Sequence, residues 1–298
     1  MIKDYSKVVK EIRRNLTVYL LEHKLKSLVL GISGGMDSAL VAVLAKPVCD
    51  DLGVKLIGRC ITIESNKYDE IDRADLIGKY FCTDYKRFNF DAIHGSIKYM
   101  DALDENIVDI DRSDPKFNKI KFGNMKARAR MIYLYNLAYK TKGMVLGTEN
   151  LTERNLSFFT IGADEISDFE SIEGLWKTEV YNTAEWLCAN ELMDNDMRAL
   201  YACIVCTATD GLGITNSDLD QILPEWTGSS RGGYKVVDDI FINYFESIEK
   251  LNLTTDEIEK NNLINKINEL EKTSVIQRYN RYSYKRNRPF VIKRENFL

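Results

Sequence analysis

The sequence predicts a doubly wound α/β fold, with a parallel sheet covered by helices on both faces. Three observations carry this. Short β-like runs alternate with helical periods through the first half of the 298-residue chain. The run Leu28-Val29-Leu30-Gly31-Ile32-Ser33-Gly34-Gly35-Met36-Asp37-Ser38-Ala39-Leu40 passes from an apolar strand through a glycine turn into a small-residue helix. A second strand, Met144-Val145-Leu146-Gly147, empties into the polar segment Thr148-Glu149-Asn150-Leu151-Thr152-Glu153. Ligands of such sheets sit at the carboxyl ends of the strands, so both segments are expected to face one crevice.

Residues 5–22 carry Val8, Val9, Ile12, Leu16, Tyr19 and Leu20 at helical spacing, which predicts an amphipathic helix against the sheet. A strand over about 27–32 leads into the glycine turn. The helix that follows begins at Ser38 and is expected to bend or stop near Pro47. Lys55–Ile63 reads as a strand, and Tyr68–Phe81 as a helix with Ile71, Ala74, Leu76, Ile77 and Tyr80 inward. Tyr85–Phe90 reads as a third strand. Residues 91–120 are acidic (Asp101, Asp104, Glu105, Asp109, Asp111, Asp114) and broken by Pro115, which suggests a helix and a mobile connection. A long helix is expected from Gly123 to about Lys142.

Residues 154–176 read as a lid-like loop anchored by Phe158-Phe159, with Asp164, Glu165, Asp168, Glu170 and Glu173 exposed. Helices follow over Trp176–Asn190 and Met193–Val205, then a turn-rich break at Thr207-Ala208-Thr209-Asp210-Gly211-Leu212-Gly213. Two amphipathic helices close the pattern, Tyr234–Leu251 and Thr255–Lys272. The stripe of the second is Ile258, Leu263, Ile264, Ile267 and Leu270, facing the core or a second subunit. The whole chain, 1–298, is expected to be one domain with a helical C-terminal part over about 234–298.

The glycine turn carries the chemistry. Two glycines let the backbone approach a ligand, Ser33 and Ser38 can donate, and the helix N-terminus behind them favours a polyanion such as pyrophosphate. Gly-Lys-Ser/Thr does not follow, so the turn is not a Walker A loop, nor is it Gly-x-Gly-x-x-Gly. An acid at the mouth, Asp37, would repel phosphate unless Mg²⁺ lay between them, and so reads as a metal ligand. A lone Gly-Gly could merely turn the chain. Five fixed positions at roughly 7% usage each, however, arise by chance on the order of once per million windows. Glu153 reads equally as a second Mg²⁺ ligand or as an acid near a helix start. Arg128, near a helix start, could meet an anion or simply lie on an exposed basic face.

The net charge of −4 and pI near 5.5 count against a nucleic-acid or membrane partner. No apolar run reaches ~20 residues and the N-terminus lacks a secretory h-region, which predicts a cytoplasmic protein. The six cysteines read as reduced and buried. Cys203 and Cys206 have the spacing of a redox pair, but with His23 and His94 the only histidines a zinc site lacks ligands. The tail Arg278-Tyr279-Asn280-Arg281-Tyr282-Ser283-Tyr284-Lys285-Arg286-Asn287-Arg288-Pro289 has the look of a nucleic-acid strip, or of a basic arm closing over nucleotide phosphates.

At Ser33-Gly34-Gly35-Met36-Asp37-Ser38 the chain resembles the pyrophosphate-loop (N-type) ATP pyrophosphatases, whose fold is adenine nucleotide alpha hydrolase-like. Gly123-Asn124-Met125-Lys126-Ala127-Arg128-Ala129-Arg130-Met131, Gly174-Leu175-Trp176-Lys177 and Lys285-Arg286-Asn287-Arg288-Pro289 extend the likeness to the ammonia-dependent NAD synthetases, over about residues 8–293. The resemblance implies amidation of deamido-NAD with ammonia and ATP through an adenylated intermediate, releasing AMP and pyrophosphate, in a homodimer whose interface helps bind deamido-NAD.

It further implies that Gly31, Ile32, Ser33, Gly34, Gly35, Met36, Asp37 and Ser38 hold the ATP phosphates, and that Asp37 and Glu153 bind Mg²⁺. Thr148, Lys177 and Thr207 match ATP contacts, with Thr209 two residues from Thr207 in the same motif. Arg128, Asp168, Tyr284 and Lys285 fall at deamido-NAD positions. Asp37, Glu153 and Lys177 form the expected catalytic set. Two departures touch the dinucleotide side: Ile161 stands where the family commonly has Lys, and Tyr284 where it has His. An adenylating enzyme for another nucleotide or a tRNA, and a non-catalytic nucleotide-binding homologue, are the alternatives. Glutamine-using relatives carry an added amidase domain, and no segment of this chain is left to supply one, so free ammonia is the expected donor.

Overall fold

In the computed structural model, residues 1–64, 66–103, 114–209 and 211–286 are described. Of the sequence expectations, Asp104, Glu105, Asp109, Asp111, Asp210 and the tail from Asn287 lie outside them. The chain begins with α1 (Tyr5–His23), β1 (Ser27–Gly31), α2 (Met36–Leu52), β2 (Lys55–Thr62), α3 (Tyr68–Phe81) and β3 (Asp84–Asn89). It continues through α4 (Asp91–Ala102), α5 (Pro115–Lys140), β4 (Gly143–Gly147), α6 (Leu151–Leu156), β5 (Phe169–Glu170), α7 (Lys177–Asn190) and α8 (Asp194–Ile204). The rest is helical: α9 (Leu219–Ile222), α10 (Ser230–Leu253), α11 (Glu257–Glu271), α12 (Ser274–Arg281) and α13 (Ser283–Arg286).

The sheet is parallel, in the order β3-β2-β1-β4-β5. Alternation along each strand divides its apolar residues between two cores. Leu28, Leu30, Leu56, Cys60, Met144 and Leu146 pack with α1, α2, α3, α7 and α8, whereas Val29, Ile57, Ile61 and Val145 meet Leu134 and Ala138 of α5. The doubly wound expectation is thus met. A third cluster, centred on Tyr234, Phe241 and Tyr244 of α10, gathers α6, α9 and α12.

The winding reverses between β1 and β4, because β2 and β3 build outward on one side of β1 while β4 and β5 lie on the other. The turns that leave these two neighbours diverge and open a crevice.

Several expectations are corrected. Pro47 lies inside α2, which runs on to a left-handed Gly53 cap. The helix is buried on nearly every side, and that packing outweighs the ~3 kcal/mol of an interior proline. α5 starts at Pro115 instead of Gly123, since Asp114 accepts from the Lys116 N–H as N-cap and Pro suits the first helical position. Residues 154–176 are not a bare lid: they end α6, contribute β5 and bury Phe159, Ala163, Ile172 and Leu175. In α3, Leu76 is exposed instead of inward. α11 buries no residue; Ile267 and Leu270 rest on the third cluster while Ile258 and Ile264 are exposed.

Gly34 shows how tightly the turn after β1 is held. Its φ is +81°, and a Cβ there would stand 2.0 Å from the Glu70 carbonyl oxygen. Gly34→Ala is therefore expected to destabilise the protein by more than ~1 kcal/mol and to weaken nucleotide binding. Urea unfolding and ATP titration of the variant check both.

Candidate active site

The crevice between the β1 and β4 exits holds a cavity of ≈ 590 Å³. Its size suits a small-molecule ligand. One wall is the turn Gly31–Ser38, ordered by its own hydroxyls. Ser33 Oγ and Ser38 Oγ stand 3.0 Å apart, the Gly35 N–H donates to Ser33 Oγ (3.2 Å), and Ser38 Oγ donates to the Gly35 carbonyl (3.2 Å). Arg73 Nε donates to the Gly34 carbonyl at 2.9 Å and pins the turn to α3. α2 starts at Met36 with Gly35 as N-cap and no side-chain cap, so its first N–H groups and positive dipole end face the cavity.

The opposite wall comes from β4 and α6. Asn150 is the N-cap of α6 and forms a capping box with Glu153: Asn150 Oδ1 accepts from the Glu153 N–H (3.0 Å), and Glu153 Oε2 accepts from the Asn150 N–H (3.4 Å). Asn150 Nδ2 also donates to Asp37 Oδ1 at 2.9 Å across the crevice. Glu153 thus occupies the helix-start position the sequence allowed, while its other oxygen serves the site.

Lys177, the first residue of α7, joins the two walls. Its Nζ lies 2.5 Å from Asp37 Oδ2 and 3.0 Å from Glu153 Oε1, and 5.1 Å from the centre of the buried Tyr234 ring. Burial opposes the charge of this ammonium, but the two carboxylates outweigh it and hold its pKa well above the usual lysine range. Burial and the neighbouring Asp37 push Glu153 up to about 7 in spite of Lys177. Two carboxylates sharing one buried cation are suited to exchanging it for a hard metal ion once anionic phosphate enters.

A buried acid unnoticed in the sequence holds Lys177 in place. Asp238 of α10 accepts from Thr152 Oγ1 (2.5 Å), the Thr178 N–H (2.8 Å) and Thr178 Oγ1 (2.5 Å). Thr152 Oγ1 in turn accepts from the Lys177 N–H at 2.8 Å. Asp238 therefore ties α10 to the starts of both α6 and α7. Only a single Asp in a helical stripe marks it in the sequence.

Thr148, Glu149, Thr207 and Arg128 also line the cavity. The structure puts Thr207 and Thr209 on the same wall, where Thr209 Oγ1 donates to Glu70 Oε1 at 2.6 Å while Thr207 is exposed. Arg128 is mid-helix, not at a helix start, because α5 begins earlier than expected; its Nε donates to the Ile161 carbonyl at 2.9 Å. Asp168 does not line the cavity. Its carboxylate accepts from the Val145 N–H at 2.8 Å, bracing β4, and the residue is exposed. Cys203 and Cys206 are both free thiols; Cys206 Sγ donates to the Cys203 carbonyl, and burial pushes Cys203 up to about 12.

Tyr284 and Lys285 reach the cavity, but the basic tail is spent mainly on the C-terminal end of α6. Arg278 Nε donates to the Leu156 carbonyl (3.0 Å), Arg286 Nη1 to the Asn155 carbonyl (2.9 Å), and Lys285 Nζ to the carbonyls of Ser157 (2.8 Å) and Phe159. Cations at this end of a helix are favoured by its dipole and by the unpaired last carbonyls. Burial, with Arg278 adding like charge, lowers Lys285 to about 8. The described part of the strip, to Arg286, is a brace within the chain, so its composition is no argument for nucleic acid. Among the described residues, no helix is long and apolar enough to cross a membrane.

A parallel sheet with a phosphate-ready helix start and paired acids at its switch point defines a nucleotide-dependent α/β enzyme. The NAD synthase family model matches residues 8–232, and the chain belongs to that family of carbon–nitrogen ligases. It is 31% identical over 220 residues to the NH(3)-dependent NAD(+) synthetase of Thermococcus sibiricus, covering 74% of this chain and 80% of the relative. With the NH(3)-dependent NAD(+) synthetase of Pyrococcus horikoshii it shares 32% identity over 254 residues, or 84% and 90% of the two chains. Among solved structures, NMN synthetase from Francisella tularensis superposes with a TM-score of 0.70 at 16% identity, over 98% of this chain and 100% of that one. NH3-dependent NAD synthetase from Campylobacter jejuni gives 0.64 at 20% identity, over 98% and 100%. These structural likenesses concern the fold.

Asp238→Ala is expected to orphan three buried donors at about 1–3 kcal/mol each and to lower turnover by loosening Lys177. Burial pushes Asp238 from 3.8 to about 6. The folded state then holds this proton more tightly than the unfolded chain. The stabilising contribution is full below about pH 4 and disappears as pH rises through about 6. Melting curves between pH 3.5 and 7 should show that slope in the parent and not in Asp238→Asn.

Proposed function

We propose that this chain joins ammonia to the nicotinate carboxylate of deamido-NAD at the expense of ATP, giving NAD⁺, AMP and pyrophosphate. The observation that carries this is the Lys177 ammonium shared by Asp37 and Glu153 in front of the uncapped start of α2. Family membership and the likeness to the NH(3)-dependent NAD(+) synthetases of Thermococcus and Pyrococcus support the same reading.

The reaction needs no protein nucleophile. The substrate carboxylate attacks the α-phosphorus, so the site must align two anions, neutralise the departing pyrophosphate and keep water from the adenylate. The N–H groups of the Gly31–Ser38 turn and α2, the hydroxyls of Ser33 and Ser38, and Lys177 receive the phosphates. Thr148 and Thr207 contact the rest of ATP. Arg128, Tyr284 and Lys285 serve the acceptor, whereas Asp168 accepts from the Val145 N–H and stands outside the cavity. Asp37 and Glu153 would hold Mg²⁺: their hard oxygens already share one cation, and two carboxylates plus phosphate are a usual set for this ion. When bound, Mg²⁺ supplies charge neutralisation at the phosphates.

Ammonia is the direct nitrogen donor, as in the names of the relatives. The protein works as a homodimer as one unit of 1–298, and the exposed Ile132 and Tyr139 on α5 offer an apolar face for it. A second reading, a shorter nicotinate nucleotide as acceptor, is favoured by one observation: Asp168, expected on the dinucleotide side, is absent from the cavity wall.

Purified protein with ATP, Mg²⁺ and ammonium should form AMP and NAD⁺ in equal amounts from deamido-NAD. Amidation of nicotinate mononucleotide alone would select the second reading, and no AMP with either would refute both. Glutamine in place of ammonium should be inert. Asp37→Asn should remain folded and lose about 10²–10³-fold in turnover; a parental rate would remove Asp37 from the site.

A further inference from the structure

The paired acids of the site are held in place by a neutral side chain that takes no part in the proposed reaction. Lys177 Nζ donates to one oxygen of each acid, Asp37 Oδ2 at 2.5 Å and Glu153 Oε1 at 3.0 Å. Asn150 serves the other two: its Nδ2 donates to Asp37 Oδ1 at 2.9 Å, and its backbone N–H donates to Glu153 Oε2 at 3.4 Å. Its Oδ1 is used as well, accepting from the Glu153 N–H at 3.0 Å. Those partners fix which way the amide lies, because Glu153 N–H requires an acceptor and the Asp37 carboxylate a donor. Asn150 is 0% exposed, its carbonyl accepts from the Arg154 N–H (2.9 Å), and the adjoining Leu151 N–H donates to the Leu175 carbonyl (2.9 Å). The side chain therefore has no room to swing.

We propose that Asn150 is the positioning residue for the two acids, holding Asp37 and Glu153 so that the oxygens now shared by Lys177 face one point. The assignment rests on the reading of these acids as the Mg²⁺ ligands. Capping of α6 explains the bonds to Glu153 but not the reach to Asp37, which lies 113 residues away on the opposite wall. Only an amide meets both demands. Asp accepts at an N-cap as well as Asn does but has no hydrogen for Asp37, and the single hydroxyl of Ser or Thr cannot fill the places of both Oδ1 and Nδ2. With two oxygens tied to Asn150, the pair facing Lys177 is left to change partner. Ligands whose remaining oxygens are held by the protein bind a metal more tightly, because they are oriented before it arrives.

Asn150→Ser and Asn150→Thr keep an N-cap and remove only the amide, so a role confined to α6 would survive both. Calorimetric titration with ATP, in Mg²⁺ and in EDTA, needs no turnover. Mg²⁺ should strengthen ATP binding to the parent; in each variant that gain should fall at least about tenfold, while the affinity in EDTA stays within about twofold. The Mg²⁺ concentration for half-maximal AMP release should rise by a similar factor. No Mg²⁺ gain in the parent, a parental gain in either variant, or equal losses in Mg²⁺ and EDTA would overturn the proposal. Asn150→Asp, alike in shape and an equal cap, keeps the test open if the smaller side chains do not fold. Its carboxylate sets like charge against Asp37, so Mg²⁺ without nucleotide should raise its melting temperature more than the parent's, and an equal effect in both would overturn the proposal. A parent that shows the Mg²⁺ gain but makes no amide would sink the amidation reading and leave the role of Asn150 standing.

Discussion

The site depends on one buried ammonium. Lys177 is 3% exposed and stands between Asp37 and Glu153, which come from opposite walls of the crevice. Without it two half-buried acids would face each other across the opening, and removing one partner from such a buried set costs about 3–5 kcal/mol. Desolvation, which would strip a lone lysine of its charge, is more than repaid by the two acids. The arrangement that stabilises the site is also the one that, in the proposed function, sets out charge for a triphosphate. Stability and function draw here on the same three side chains, and that coupling explains why so much of the surrounding structure serves to hold them still.

The fold brings these groups together through topology. Asp37 follows β1 and Glu153 follows β4, neighbours in the sheet where the winding reverses. Lys177 comes from a third place, the start of α7, and is steadied from outside the sheet by Asp238 and Tyr234 of α10. The helical C-terminal part therefore acts on the site through α6 and α7. Asp238 fixes the first turns of α6 and α7, and the cations of α12 and α13 close the far end of α6. A six-residue helix has little stability of its own, so the acid it carries is only as well placed as the contacts at its two ends.

The glycine turn after β1 was legible in the sequence because it is local. Gly34, Ser33, Asp37 and Ser38 lie within six residues, and their turn follows from strand, glycine and helix signals alone. The parallel sheet was legible from periodicity, yet β5 was not, since two residues give no period to read. Pro47 and Pro115 show the two ways a proline misleads: one sits in a helix buried enough to absorb its cost, the other starts a helix with Asp114 as its cap. What stayed hidden was non-local. Asp238 lies 86 residues from Thr152 and 60 from Thr178, and no spacing rule links them. The basic tail misled for the same reason: composition reports its charge but not the carbonyls of Asn155, Leu156, Ser157 and Phe159 that consume it.

The two sides of the cavity consequently differ in how they are made. The wall proposed for ATP is built from the sheet, a helix start and a closed network of short bonds. The wall proposed for the acceptor is assembled from α5, the segment after α6 and the tail, where Arg128 and Lys285 donate to backbone carbonyls. An acceptor carboxylate or phosphate must compete with those carbonyls, and it can win because an anion makes a stronger partner for a cation than a neutral oxygen does. The carbonyl contacts thus trade some acceptor affinity for a braced α6. On the proposed function, the acceptor recruits its cations from the brace, whereas ATP meets a turn already ordered by its own hydroxyls.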